Sequence, residues 1–103
     1  MINEFRDARN WRQFHNEKDL ALSISIEAAE LLELFQWKSA HEVTENNKNR
    51  IAEELADVLI YSFMMADNLK FDIEEIIAKK IEQNDKKYPV EKSRNNKKKY
   101  NEF

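Results

Sequence analysis

Two short carboxylate pairs have the residue types and spacing that could do chemistry. The first is E-A-A-E, with Glu27 and Glu30, and the second is E-L-A-D, with Glu54 and Asp57. A spacing of three residues places both acids of a pair on one face of a helix. Acids that converge inside a helical protein must be protonated, paired with bases or bound to cations, because an isolated buried charge is costly. An all-oxygen set suits Mg²⁺, with Mn²⁺ as the alternative, and suits zinc poorly.

The plain alternative is that these acids face solvent, as most acids in E-x-x-E pairs do. Glu33, the next acid along the same stretch, fits that description. Two of the other acids do not, because Glu27 falls in the middle of an apolar row and Asp57 interrupts the apolar segment LADVLIYSFMMA. These two positions favour a cation site over a solvated face.

A di-iron carboxylate site is a second metal hypothesis, and its ligands include a Glu-x-x-His pair on each of two helices. The chain has no such pair, and its two histidines, His15 and His41, fall in or near connections. Metal-assisted phosphoryl chemistry is therefore favoured over redox iron chemistry, since Mg²⁺ held by carboxylates can bind a triphosphate and activate a water molecule.

Four helices are predicted to position these acids, over residues 3–12, 19–37, 50–69 and from Asp72 until Pro89 ends the last one. Asn3 is the predicted N-cap of the first helix, and a capping box with Glu75 starts the fourth. The second helix should bury the row of apolar residues that contains Glu27. The third helix is apolar on nearly every side, which predicts that it is buried against several neighbouring helices. The remaining residues predicted to be buried are Phe5, Ala8, Leu20, Ile24, Leu31, Leu34, Ile73, Ile76, Ile77 and Ile81.

Composition supports one all-α domain. The chain has 103 residues, of which 42 % are hydrophobic and 36 % charged. The absence of glycine excludes a P-loop, a dinucleotide-binding glycine motif and a G-x-S-x-G nucleophile elbow. The absence of cysteine excludes disulfides, thiolate zinc sites and cysteine nucleophiles, and it is compatible with a reducing cytoplasmic location. A net charge of -3 gives no reason to expect a nucleic-acid polymer as partner, and the chain has no apolar run long enough to predict a membrane span.

These motifs together carry a family resemblance. E-A-A-E followed by E-L-A-D resembles the E-x-x-E and E-x-x-D signature of the MazG-like all-α nucleoside triphosphate pyrophosphohydrolases. The segments NWRQFHNEKDLALSISIEAAELLELFQWK, EELADVLIYS and KIEQNDKKYPVEKSRNNKKKY are most similar to the dCTP pyrophosphatase branch, from about Arg9 onward. Ile26 is a departure, since many relatives have an acid directly before the first motif glutamate, although the dCTP-like branch commonly lacks it too.

The resemblance implies a four-helix bundle that assembles as a homodimer or a dimer of dimers. It implies hydrolysis of a (deoxy)nucleoside triphosphate, dCTP or a modified dCTP, to the monophosphate and pyrophosphate. The implied metal ligands and catalytic carboxylates are Glu27, Glu30, Glu54 and Asp57, one of which is the general base. The implied substrate contacts are Trp11 and Trp37 at the base, Lys80, Asn84 and Tyr88 at the phosphates or sugar, and also His15.

Each substrate contact has a structural alternative. Trp37 at a helix end could anchor the core, and Lys80 could be an exposed helix lysine. His15 could cap a helix or be a core histidine with its hydrogen bonds satisfied. The rival function is a non-enzymatic helical interaction module or nucleotide sensor, in which the acids make salt bridges and the third helix binds a partner.

The chain is expected to divide into a catalytic domain, residues 1–90, and a basic tail, residues 91–103. The tail contains Lys97, Lys98, Lys99 and Tyr100, which resemble a closing basic-aromatic segment of the family. That resemblance implies that the tail is disordered without substrate and folds over the phosphates when substrate binds, drawn there by its positive charge. The plain alternative is a solvated, mobile end.

Overall fold

The chain is helical in the computed structural model, which describes the backbone of residues 1–102 and the side chains of residues 1–99, 101 and 102. No β-strand occurs among those residues, so the all-α prediction is confirmed. The α-helices are α1 (Ile2–Ala8), α2 (Glu17–Glu33), α3 (Ala40–Asn46), α4 (Lys48–Asn68), α5 (Ile73–Lys87) and α6 (Val90–Ser93), with 3₁₀ helices at Trp11–Phe14 and Tyr100–Glu102.

The first helix is shorter than predicted, and its predicted cap is wrong. The N-cap is Met1 rather than Asn3, and α1 ends at Ala8. Asn10 follows with a φ of 53°, a left-handed conformation that asparagine tolerates better than most residues, and this conformation breaks the predicted continuation to Arg12. Asn16 then caps α2, because its side-chain oxygen accepts a hydrogen bond of 2.9 Å from the backbone N–H of Asp19.

The second helix ends at Glu33, four residues before the predicted end at Trp37. The chain continues in single turns, and Trp37 itself has a φ of 62°. The segment predicted as a connection then contains α3, which begins with a capping box between Ser39 and Glu42. The sequence S-A-H-E predicts this capping box, because a serine followed three residues later by a glutamate satisfies two free N–H groups at the start of a helix.

The first compact unit, Met1–Lys70, is built around α2, which packs along α4. Its buried apolar side chains are Leu20, Val43, Met64 and Ala66. Of the predicted apolar row on α2, Leu20 is buried, whereas the other members are half-buried and Glu27 is also half-buried among them. The predicted burial is wrong for Phe5 and Ala8, which are exposed.

The predicted burial of α4 on nearly every side is wrong for a single chain. Leu55 is 45 % exposed and Leu59 is 60 % exposed, although both belong to the apolar segment LADVLIYSFMMA. Helical periodicity identifies apolar side chains but does not say what covers them. These leucines are therefore apolar surface of the single chain.

The second compact unit begins at Phe71 and contains α5. Asp72 caps α5, because its side chain accepts a hydrogen bond from the backbone N–H of Glu75, but this is only one half of the predicted capping box. Glu75 pairs with Lys79 at 3.0 Å. The four isoleucines predicted to be buried along α5 are between 39 % and 62 % exposed, so that prediction is also wrong for a single chain.

The residues beyond Pro89 include two short helical elements, α6 and the 3₁₀ helix Tyr100–Glu102. The predicted disorder and substrate-dependent folding of this tail stay predictions. The side chain of Tyr100 and the whole of Phe103 lie outside the described residues. Within residues 1–102, no helix reaches the combination of length and hydropathy that a membrane span requires.

Candidate metal and nucleotide site

The packing of α2 along α4 brings three of the four predicted carboxylates together. Side-chain oxygens of Glu27, Glu30 and Glu54 lie within 4.8 Å of one another. The first two acids occupy successive turns of α2, and the third lies on α4. Asp57 is not in this group of three, but it raises the pKa of both Glu27 and Glu54 by repulsion and therefore lies beside the group.

The acids repel one another enough to favour protonation when no cation is present. Burial, a hydrogen bond with Glu30, and the charges of Glu30, Asp57 and Glu54 raise the pKa of Glu27 from 4.5 to about 7. Burial and the proximity of Glu30 raise the pKa of Glu54 in the same direction. The guanidinium of Arg50 opposes this rise, but its nearest nitrogen is 3.8 Å from Glu54. The cluster is thus only weakly neutralised by protein bases.

The donor atoms fit a divalent metal ion. Glu27 Oε2 and Glu54 Oε2 are buried and have no hydrogen-bond partner. A buried carboxylate oxygen without a partner is costly, and a hard cation satisfies it because such cations take oxygen ligands. The cluster can therefore hold a divalent ion, and the residues do not distinguish Mg²⁺ from Mn²⁺.

A mainly apolar cavity of about 560 Å³ adjoins the acids, since Asp57 is among its lining residues. Two of the predicted substrate contacts, Trp11 and His15, also line it. The Trp11 ring meets Phe5 and His15 edge to face, with ring centroids 5.6 Å and 6.4 Å apart. The remaining lining residues are Met1, Ile2, Ile60, Tyr61 and Met64.

His15 brings a neutral polar group to this cavity. Burial and the charges of Arg6 and Arg12 lower the pKa of His15, so the imidazole is uncharged at neutral pH. Its Nδ1 is buried and has no partner, while its backbone carbonyl accepts a hydrogen bond of 2.6 Å from the Asn68 amide. The backbone is thus fixed, and one ring nitrogen is left for a ligand.

Tyr61 is a cavity residue that the sequence interpretation missed. It lies one turn after Asp57 on α4, and burial together with the charges of Glu27, Asp57 and Glu30 raises its pKa. The phenol is therefore a neutral hydrogen-bonding group placed between the apolar cavity and the acids. The spacing of four residues from Asp57 was the signal that could have identified it.

The other predicted contacts are not gathered at this cavity within the first unit. Trp37 is 94 % exposed, so the alternative that it anchors the core is wrong for the single chain. Lys80 and Asn84 are exposed on α5, and Tyr88 is half-buried at its C-cap. Both α5 and Tyr88 belong to the second unit.

Comparison with known proteins identifies the family. The model of the MazG-like family matches residues 22–103. The chain is 38 % identical over 105 residues to dCTP pyrophosphatase 1 of Mus musculus and 36 % identical over 105 residues to that of Homo sapiens. In both cases the match covers 97 % of this chain and 62 % of the relative, so the chain spans about 62 % of the length of these relatives.

A solved structure agrees with this relationship. The fold is similar to that of a pyrophosphatase from Archaeoglobus fulgidus DSM 4304, with a TM-score of 0.82, 47 % sequence identity and coverage of 85 % of each chain. The paired acids on α2 and α4 lie within the part of the chain that the family model matches. By sequence and by fold, this chain belongs to the MazG-like family.

Proposed function

We propose that the chain is a divalent-metal-dependent nucleoside triphosphate pyrophosphohydrolase that acts on dCTP or a modified dCTP. The observation that carries the proposal is the group of three carboxylates with two unpartnered buried oxygens, next to a cavity lined by aromatic side chains. The similarity to dCTP pyrophosphatases supports the substrate class. The products are the nucleoside monophosphate and pyrophosphate.

Mg²⁺, with Mn²⁺ as the alternative, is the proposed ion, and its ligands are Glu27, Glu30, Glu54 and Asp57. When bound, the ion neutralises triphosphate charge and lowers the pKa of a water molecule. One of the four carboxylates accepts the proton of the attacking water as general base. Water oxygen bonds to the α-phosphorus while the bond to the bridging oxygen breaks, and Lys80 offsets the charge of the departing pyrophosphate.

The cavity is the proposed site of the base. Its lining is mainly apolar, and Trp11 offers an aromatic surface on which a base can stack. His15 Nδ1 and the Tyr61 phenol are hydrogen-bonding groups that can fix the orientation of a base. Trp37 is proposed as a second base contact, and Asn84 and Tyr88 as contacts to the phosphates or sugar.

We also propose a homodimer or a dimer of dimers. Exposed apolar side chains on α4 and α5 support this assembly, because single chains rarely leave such large apolar surface uncovered. The exposed residues concerned are Leu55, Leu59, Ile73, Ile76, Ile77 and Ile81. A cytoplasmic location and the absence of nucleic-acid and membrane partners stay predictions.

The activity is tested by incubating the purified chain with a panel of nucleoside triphosphates and Mg²⁺. We expect release of pyrophosphate and nucleoside monophosphate in equal amounts, fastest with dCTP or a modified dCTP. A Glu54→Gln preparation made in parallel controls for contaminating phosphatases. Release of orthophosphate, or no turnover with any nucleotide, would contradict the proposal and leave the interaction module as the better interpretation.

Trp37→Ala tests the second base contact without disturbing the fold. Because the side chain is 94 % exposed, its removal should not change the thermal unfolding of the single chain. If the indole stacks on the base, KM should rise by the equivalent of about 1–3 kcal/mol, and nucleotide binding should quench less tryptophan fluorescence. Phe14→Ala is the matched control, since Phe14 is 62 % exposed and does not line the cavity. An unchanged KM and an unchanged fluorescence response would remove Trp37 from the site.

A further inference from the structure

The short helix α1, all of which the structure describes, has one buried side chain, and that side chain is charged. Arg6 has no exposed surface. Its Nη2 donates a hydrogen bond of 2.9 Å to Asp67 Oδ2, and its Nε donates one of 2.9 Å to Asn3 Oδ1. Arginine is rarely fully buried unless it is paired, so the position of α1 depends on this contact with α4.

The same carboxylate oxygen receives two further donors. Asn3 Nδ2 lies 3.3 Å from Asp67 Oδ2, and Arg12 Nη1 lies 3.5 Å from it. Arg12 also pairs with Asp7. We call Asn3, Arg6, Arg12 and Asp67 the Asp67 bracket. One atom near the end of α4 thus receives donors from α1 and from the 3₁₀ helix that follows it.

The bracket joins the two sides of the cavity. One side consists of α1 and the following segment, with Ile2, Phe5, Trp11 and His15. The other side consists of α4, with Asp57, Ile60, Tyr61 and Met64. Asp67, the bracket residue on α4, lies one turn after Met64. The side-chain amide of the adjacent Asn68 donates a hydrogen bond to the backbone carbonyl of His15. The end of α4 therefore fixes both aromatic parts of the opposite wall.

Apolar packing alone gives this wall little support. Phe5 is 48 % exposed and Trp11 is 41 % exposed, so neither is anchored in a core. The ion pair of Arg6 with Asp67, whose side chain is 29 % exposed, is weak evidence for stability, because the desolvation of the buried guanidinium offsets the attraction. Here Arg6 Nη1 is also buried without a partner, which reduces the contribution of the pair further. Directed hydrogen bonds define the orientation of this wall, whereas apolar contacts do not.

We propose that Asp67 is a positioning residue that sets the separation of the two cavity walls, and thereby the affinity for the nucleotide base, without touching the substrate. The inference rests on the proposed function. It predicts that loss of the bracket moves the base contacts while the carboxylate cluster on α2 and α4 stays in place. Binding should therefore weaken while the chemical step continues.

The test compares Asp67→Leu with Asp67→Asn and with the double variant Arg6→Leu/Asp67→Leu. We expect Asp67→Leu to raise KM for dCTP about tenfold and to change kcat by less than about twofold, because contacts to the base are the same in the ground state and the transition state, and loss of such uniform binding raises KM alone. Asp67→Asn, which keeps an acceptor oxygen, should restore most of the affinity. Glu75→Gln is the matched control, because it breaks an exposed ion pair of 3.0 Å and should leave KM unchanged.

The double variant separates positioning from stability. The two leucines remove the buried charge of Arg6 together with its partly exposed partner Asp67, so no buried charge is left unpaired. This variant should therefore fold at least as stably as the unaltered chain, by circular dichroism and thermal unfolding. Its KM should nevertheless stay raised. If Asp67→Leu does not fold, KM is measured on the double variant alone. A KM equal to that of the unaltered chain in the folded double variant would overturn the positioning role.

Binding of a non-hydrolysable dCTP analogue, followed by tryptophan fluorescence, distinguishes this inference from the proposed activity. If the unaltered chain binds the analogue but releases no pyrophosphate, the proposed enzyme is wrong, and weaker binding by the variants still supports the bracket. If the unaltered chain turns over dCTP and the variants match it in KM, the bracket alone is wrong. If the unaltered chain binds no nucleotide, both are wrong.

Discussion

Replacing Glu54 with glutamine is expected to lower nucleotide hydrolysis by at least about 100-fold. Loss of a group that merely supports a metal ligand typically costs 10- to 100-fold, so loss of a ligand should cost more. The same replacement should leave the metal-free protein as stable as the unaltered chain, or more stable. The reason is that Glu54 lies against Glu30 and Glu27, and removing one negative charge relieves repulsion. Glu27→Gln should behave in the same way.

Glu53 provides the matched control for this experiment. It is the preceding residue on α4, but its side chain is 71 % exposed and lies 4.0 Å from Arg50. Glu53→Gln should therefore retain both activity and metal dependence. Activity is measured as pyrophosphate release at saturating Mg²⁺, and stability as thermal unfolding in a chelator. A Glu54→Gln protein with normal Mg²⁺-dependent turnover would show that this cluster is not the metal site.

The pairing of the acids within each helix was predictable from their spacing. A separation of three residues fixes a common helix face whatever else the chain does, and the structure brings Glu27, Glu30 and Glu54 together. The spacing did not show that Asp57 would stand beside the group of three and also border the cavity. That distinction depends on how α2 and α4 are aligned along each other, which no local pattern encodes.

The helix ends were predicted less well, because they depend on single residues. Apolar periodicity suggested that α2 continues to Trp37, whereas the chain leaves the helix after Glu33 and Ser39 starts another. The outcome for α5 has a different cause. The isoleucines lie along α5 as predicted, but periodicity shows only that a face is apolar and does not show whether the rest of the chain covers it.

The Asp67 bracket could not have been predicted from sequence. Arg6 and Asp67 are 61 residues apart, and both are residue types that normally face solvent. Tyr61 was missed for a related reason, since a tyrosine inside an apolar run resembles a packing residue. The bracket became visible only when the contacts between α1 and α4 were known, whereas the spacing of Tyr61 from Asp57 was already present in the sequence.

Acidity should control both the stability of the metal-free protein and its affinity for metal. The pKa of Glu27 is about 7 in the folded protein, against an ordinary value of 4.5. The folded state therefore binds more protons than the unfolded state between these values. The stabilisation is fully present below pH 4.5 and is lost as the pH rises through about 7. The pKa of Glu54 is raised as well, and its contribution has the same sign.

Comparison with a variant separates the effect of Glu27 on stability from that of the other titrating groups. The pKa of His15 is lowered, so its contribution has the opposite sign and is lost as the pH falls below the ordinary value of 6.5. Comparing the unaltered chain with Glu27→Gln removes this background, because both proteins retain His15. The melting temperatures of both proteins are measured in chelator. As the pH rises from about 5 to about 8, the melting temperature of the unaltered chain should fall relative to that of the variant.

Metal should reverse this trend, because an ion binds the deprotonated carboxylates and stabilises the folded state in proportion to its occupancy. For one displaced proton, the apparent affinity for Mg²⁺ should fall about tenfold for each pH unit below the pKa of Glu27. Thermal unfolding across this pH range, with and without millimolar Mg²⁺, measures both effects. The stabilisation by Mg²⁺ should be largest at alkaline pH and nearly absent at pH 5. If Mg²⁺ raised the melting temperature equally at every pH, the ion would be binding somewhere other than these acids.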